Sequence, residues 1–471
     1  MFLLAAALLI HNVTVIDPAS RTVRVGDVCV VGERIADVRG QGAGGGAQMM
    51  SSREQPPAPR ALRPAPCDGG GATQIDATGQ FLIPGLADMH AHLFEHGRDE
   101  KGNIRPRYDR ATLEQALRAF LDFGVTTIRD PGAETEAAVM IRNMVAKGAL
   151  AGPDITTCGR ILNSSNFDPE PFQPVHSEED IRREIRWQKA AGVDCIKVYS
   201  SMPPDFVRIA IDEAHKNGLP IIGHLQRTTW TEAARMGIDG VEHAAPWSSA
   251  YVAEPARAAY DNSMFGRVYW LEHLDEKAID EMVGELAKHH VVVDPTLMAM
   301  VTKLYGDDPR WTENPDLKFA PPLEVKSWKS FSFTSDWTPE QYRAAHAAWP
   351  KLLRLTKKLF DAGVPLVAGT DTPTPWIIPG ASLHDELRLL HEAGIPNMDV
   401  LRIGTARGQG AGGGAQMIAP GAPANLVLLA NNPLQEIANT RSIVMVIKRG
   451  EIVTPRQQPP APRPLRPAPS P

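Results

Sequence analysis

A chain of 471 residues with 43% hydrophobic content can bury a large core, and a β/α barrel alone takes up ~250 residues as one unit. The net charge of −6 provides no basic surface for nucleic acid. The four cysteines, Cys29, Cys67, Cys158 and Cys195, form no CxxC pair; two disulfides are open to them, but buried thiols are the expectation for a chain this long.

The first element is ambiguous. Phe2 to Ile10 is an apolar run of signal-peptide length, with no Lys or Arg before it and no small-residue cleavage site after it. It is too short to span a bilayer, and it flows into IHNVTVID, which alternates as a strand does. It reads as a first strand with an apolar lead-in. The compartment stays open between cytoplasmic and, if the run is what remains of a trimmed signal, periplasmic or secreted.

VGDVCVVGERIADV and TQIDATGQFLI continue as short strands up to Pro84-Gly85. The rhythm then changes. LADMHAH, GVTTIRDPG, PDITTCGRIL, GVDCIKVYS, LPIIGHL, GIDGVEHA, HVVVDPTLM and VPLVAGTDT are apolar runs separated by helix-patterned stretches such as SEEDIRREIRWQKAAG. Eight such alternations with non-alternating strands predict an α/β chain folded as a (β/α)8 TIM barrel. ANLVLLANN and SIVMVIKRGEIV then return to strands and mirror the N-terminal ones. Both chain ends are expected to build one small β-sandwich-like domain: residues 1–83 its first half, 84–408 the barrel, 409–453 its second half, and 454–471 a Pro-rich disordered tail. Gly- and Pro-rich tracts recur, RGQGAGGGAQM at 39–49 and 407–417, and PPAP-containing stretches at 53–66 and 456–469. Such tracts cannot bury a core, so a flexible insertion over 40–71 is expected.

Residue types that bind metals end several of these runs. His90 and His92 lie two apart, so both imidazoles of an extended strand face one side. Lys197, His224, His243 and Asp371 follow at later strand ends, the end of a barrel from which catalytic groups come. His and carboxylate donors favour zinc. A lysine ammonium has no lone pair and cannot bind a metal as such; read alone, Lys197 is a buried lysine paired with an acid. Tyr199 alternates onto the same side as Lys197. Tyr199, His96, Arg129 and Trp376 are candidates for touching substrate, and His384 and Glu386 for supporting the site.

PGLADMHAH, Lys197, His224, His243 and Asp371 together resemble the amidohydrolase superfamily, over roughly residues 8–38 and 72–453. GVDCIKVYS and the EH of GVEH look like the branch of Xaa-Pro dipeptidases, arginine carboxypeptidases and imidazolonepropionase-like proteins. The resemblance implies two divalent metal ions held by His90, His92, Lys197, His224, His243 and Asp371. It also implies that Lys197 is carboxylated by carbon dioxide and bridges the two ions, and that Asp371 doubles as the catalytic proton shuttle. The implied activity is hydrolysis of a C–N amide bond in a dipeptide or N-acyl amino acid by a metal-bridging hydroxide. An ester, lactone, carbamate or organophosphate hydrolase on the same centre is the alternative. Several tryptophans (Trp230, Trp247, Trp270, Trp311, Trp328, Trp337, Trp349 and Trp376) fall in the segments after barrel strands, which suggests an aromatic pocket under a lid. The expected partner is a small molecule, with no nucleic acid and no membrane, in an oligomer of identical chains.

Overall fold

The computed structural model describes residues 7–42, 67, 71–93, 95–98, 104–106, 110–165, 171–406, 416–453 and 455–456. The lead-in at 1–6, most of the 40–71 insertion, the Gly-rich tract at 407–415 and the tail from 457 onward lie outside them.

The two chain ends interleave in one sheet of eight strands. Its order is Glu451–Val453, Ile443–Lys448, Leu426–Leu429, Phe81–Pro84, Ala7–Asp17, Thr22–Val31 and Arg34–Gly42, with Thr73–Asp76 also pairing on Ala7–Asp17. The junction between the halves is antiparallel, with Val427 opposite Ile83 and Leu428 opposite Leu82. Side chains alternate across a strand, so Leu82, Leu426 and Leu428 pack with Val13 and Val15 on one face. Ile83, Val427 and Leu429 join the large core on the other. Sequence patterning anticipated strands from both ends; their hydrogen bonds make a single mixed sheet.

The middle of the chain is a mixed α/β fold of parallel strands. Leu86–Asp88, Val125–Asp130 and Asp154–Thr157 form one sheet. Phe172–Pro174, Ile161–Asn163, Ile196–Val198, Ile221–Gly223, Gly240–Glu242 and Val292–Asp294 form another. Asp194 N–H donates to Thr157 O at 2.8 Å and links the two. The segment 365–372 is irregular, but its backbone bonds both neighbours. Val293 N–H reaches Pro365 O at 2.9 Å, Met89 N–H reaches Ala368 O at 2.8 Å, and Asp371 N–H reaches His90 O at 2.8 Å. Gly369 permits this approach, because a Cβ there would lie 2.6 Å from the His90 Cβ.

Helices follow the strands with legible ends. Glu178–Ala191 is capped by the Ser177 side chain and stops at left-handed Gly192, φ 99°. Trp230–Met236 carries a Thr229/Glu232 capping box. Among the described residues no helix is long and apolar enough to cross a membrane.

Two expectations need correction. The cysteines are paired, Cys29 with Cys67 and Cys158 with Cys195, at Cα separations of 6.0 and 4.3 Å. Cys158 ends one strand and Cys195 begins its neighbour, a proximity made by topology that sequence separations of 38 and 37 conceal. The tryptophans are core residues. Trp230, Trp247, Trp270, Trp311, Trp328 and Trp349 are buried, and three indoles donate to backbone oxygens: Trp270 to Ser248, Trp311 to Tyr305 and Trp328 to Pro373. A large indole supplies most stabilisation when wholly buried with its N–H paired.

Candidate metal centre

His90 and His92 leave the first parallel strand together. Asp88 fixes their backbone, accepting from His90 N–H at 3.2 Å and from Thr370 N–H and Oγ1 at 3.0 and 2.7 Å. Those bonds also tie down Asp371, which follows Thr370 directly. Burial pushes the Asp88 carboxyl up to about 7. Asp371 Oδ1 lies 3.3 Å from His90 Nε2 and 3.5 Å from His92 Nε2.

Each remaining imidazole is aimed by a partner or by packing. His92 Nδ1 bonds Gly132 O at 3.1 Å, which turns its Nε2 toward Asp371. His243 Nδ1 meets Thr296 Oγ1 at 2.8 Å, leaving Nε2 for the cluster. His224 packs between Tyr199, tilted to it, and His243, edge-on, with centroids 4.5 and 4.3 Å away, and its Nε2 is buried with no hydrogen-bond partner. His90 and His243 rings are 5.1 Å apart. His243 and Asp371 hold left-handed backbone, φ 74° and 65°. That costs about 1–3 kcal/mol each, and such strain concentrates at functional sites.

Charge in the cluster is asymmetric. Burial holds the His90 and His224 imidazoles well below the usual histidine range and His243 down at about 3. Burial pushes Asp371 up, but His90, His92, His243 and Lys303 outweigh it and hold the carboxyl well below its ordinary value. Imidazoles of lowered basicity beside a carboxylate of raised acidity are the donor types that a divalent cation requires. Ligand atoms of His90, His92 and Asp371 all lie within 4.8 Å of one another, so this donor set fits a metal ion.

Lys197 is 2% exposed, and its Nζ contacts Glu242 Oε2. Beside His90 lie Glu242 and Asp294, which sequence reading missed, and Arg129, which it had expected to touch substrate. Arg129 Nη2 donates to Glu242 Oε1 at 3.1 Å and to Asp294 Oδ2 at 3.3 Å. Burial lowers Arg129 to about 10 and raises Asp294 to about 7. Glu242 stood beside His243 in the EH pair, and that was its only signal.

The cavity over the cluster is lined by His90, His92, Lys197, Tyr199, His224, His243 and Asp371, with Phe172, Met264, Arg267, Lys303 and Phe333 among its walls. Tyr199 is thus one of the lining residues. Arg129, buried in the floor, and Trp376, packed 6.0 Å from Trp328, are not among the lining residues. His96 belongs to the strand Glu95–Arg98, and its side chain lies outside the described residues. His384 bonds Thr440 and Phe123 O, well away from the cavity lining. Glu386 accepts from Leu297 and Met298 N–H at 2.9 and 2.7 Å and so caps the helix Leu297–Leu304.

The family model described as "Amidohydrolase family" matches residues 81–453, which contain every one of these groups. The chain belongs to the amidohydrolase family. Among curated relatives, the dihydroorotase of Solibacter usitatus is 35% identical over 222 residues, 46% of this chain and 42% of that protein. The chain spans about half the length of the curated relatives it matches. Among solved structures, a Xaa-Pro dipeptidase with bound methionine superposes with a TM-score of 0.63 at 19% identity, covering 95% of this chain and 100% of that one. A prolidase complexed with N-methylphosphonate-L-proline gives 0.66 at 21% identity, over 96% and 100%. At such identities these structures establish the amidohydrolase fold alone.

Proposed function

We propose that this amidohydrolase cleaves the C–N bond of a small carboxamide, a dipeptide or N-acyl amino acid, with two divalent ions, zinc foremost. The observation that carries the reading is the convergence of His90, His92, His224 and His243 on Asp371, with His90, His224 and His243 lowered in basicity and Asp371 held well below its ordinary value. The scaffold of the proposal is a (β/α)8 barrel with 365–372 as its eighth strand, supported by the backbone bonds of that segment to both neighbours. The prolidase and Xaa-Pro dipeptidase neighbours favour a peptide-like amide.

A divalent ion, when bound, acidifies water toward a pKa of ~7 and polarises a carbonyl. This chain's residues do the rest. The four histidines fix the reaction centre. Asp371 accepts the proton of the attacking water and returns it to the amide nitrogen as the C–N bond breaks, since an amide anion cannot leave unprotonated. Tyr199, against His224 on the cavity wall, donates to the carbonyl oxygen as negative charge builds there.

In the binuclear reading Lys197 would carry an N-carboxylate and would help to hold the ions, and Glu242 would exchange its Lys197 contact for Arg129 alone. The Lys197–Glu242 contact also favours a second reading, in which Lys197 stays an ion-pair partner and His90, His92 and Asp371 hold a single ion. Lys197→Ala and Lys197→Arg, each assayed with and without formate, separate the two. A carboxylated bridge requires Ala to be rescued by formate and Arg to stay inactive, because a guanidinium places positive charge beside the cations. An Arg variant more active than Ala, with no rescue, leaves the single-ion enzyme. A panel of N-acyl amino acids against matched esters and carbamates on zinc-loaded protein tests the substrate class; ester turnover exceeding amide turnover overturns it.

A further inference from the structure

The cavity lining carries, besides the histidines, two cations that the hydrolytic chemistry does not use. Arg267, from the helix Gly266–Glu272, and Lys303, from the helix Leu297–Leu304, both line it. Arg267 contrasts with Arg129, which is neutralised by Glu242 and Asp294. Among the described residues Arg267 has no carboxylate within ion-pair distance. Its Nε is buried with no hydrogen-bond partner, and Nη1 reaches only the Met300 sulfur at 3.6 Å. The Trp247 ring, 5.3 Å from the guanidinium carbon, supports the group without neutralising it. Lys303 Nζ sits over the Phe333 ring at 4.9 Å. Asp371, the cavity's carboxylate, is engaged by His90 and His92.

A half-buried guanidinium without an anion is costly, and its planar fork matches a carboxylate. The geometry points to Arg267 and Lys303 as the seat for a carboxylate on the substrate, so that the chain selects amides bearing a free acid over neutral ones. This deepens the amide-hydrolase reading and rests on it. It also supplies a reason for that reading over neutral esters, carbamates and organophosphates, which would leave both cations facing an uncharged group.

The test has a binding arm and a turnover arm, both on zinc-loaded protein. Calorimetry with benzoate and benzamide is expected to show benzoate binding at least about tenfold tighter to the wild type. Arg267→Met removes that preference, and Arg267→Lys keeps part of it. Benzoate binding that is unchanged in Arg267→Met means the anion sits on the metal ions and overturns the proposal. In turnover, the ratio of kcat/KM for an N-acyl amino acid to that for its carboxamide falls on the order of a hundredfold in Arg267→Met, mostly through KM. Lys303→Met, which leaves Arg267 in place, lowers the ratio about tenfold. Equal losses on both substrates would show a structural role and overturn the seat. Arg267-dependent benzoate binding without any amide turnover retains the seat and removes the amide-hydrolase reading.

Discussion

Arg129→Met removes the cation on which the floor of the metal centre rests. Arg129 is 2% exposed and bonds both Glu242 and Asp294. Glu242 keeps Lys197, so the damage falls on Asp294. Breaking one side of a buried pair costs about 3–5 kcal/mol, and the lower end applies near pH 7, where Asp294 can take up a proton. The pH dependence follows from its raised folded value of about 7 against 3.8 when unfolded. A raised carboxyl binds more protons folded than unfolded, so stability falls as pH climbs from the unfolded value to the folded one. In the wild type that fall ends near 7. Without Arg129, the largest influence holding Asp294 down, it continues above 7. The deficit should therefore grow by about 1.4 kcal/mol per pH unit, from ~3 near pH 7 to ~5 near pH 8.5. Urea unfolding of metal-free protein followed by tryptophan fluorescence measures it. Adding Asp294→Asn should recover more than half of the loss and flatten the slope. A deficit below ~1 kcal/mol, or one that does not change with pH, would refute the role given to this arginine.

His384 is buried neutral with a value near 3. Its folded state therefore binds fewer protons than the unfolded one below pH 6.5, and stability declines by about 2 kcal/mol by pH 5. His384→Gln should lose that much less than the wild type between pH 7 and 5, and an equal loss argues against it. His90→Ala and His243→Ala should each abolish turnover while circular dichroism stays native, because a ligand is lost rather than core volume; turnover in either variant removes that residue from the centre. Arg456 bonds Asp122 through its N–H at 3.0 Å and covers Phe319 at 5.1 Å. Deleting 457–471 should leave the melting temperature unchanged, and Arg456→Ala should cost roughly 0.5–1 kcal/mol. A large shift from the deletion alone would mean that the tail packs on the body.

Much of the scaffold was legible because an apolar run closed by a chemical residue is a local signal. LPIIGHL carries a strand and a cavity-lining histidine in a few residues, and VPLVAGTD an apolar run and Asp371. The floor was not legible. Arg129 was expected to touch substrate, Glu242 and Asp294 are ordinary charged residues in sequence, and only strand neighbours far apart in the chain make the three one network. The same holds for Cys158 and Cys195, and for Arg267 and Lys303, which reach the cavity from helices rather than strand ends. The tryptophans misled for the opposite reason: position after a strand suggested substrate, whereas their large apolar rings pack in the core.

Chelator-stripped protein titrated with zinc in bicarbonate buffer, with hydrolysis of an N-acyl amino acid and bound metal read on the same samples, tests the central claim most directly. Turnover should be absent without metal and rise to a plateau at two ions per chain. Turnover that survives complete removal of metal would contradict the metal centre itself.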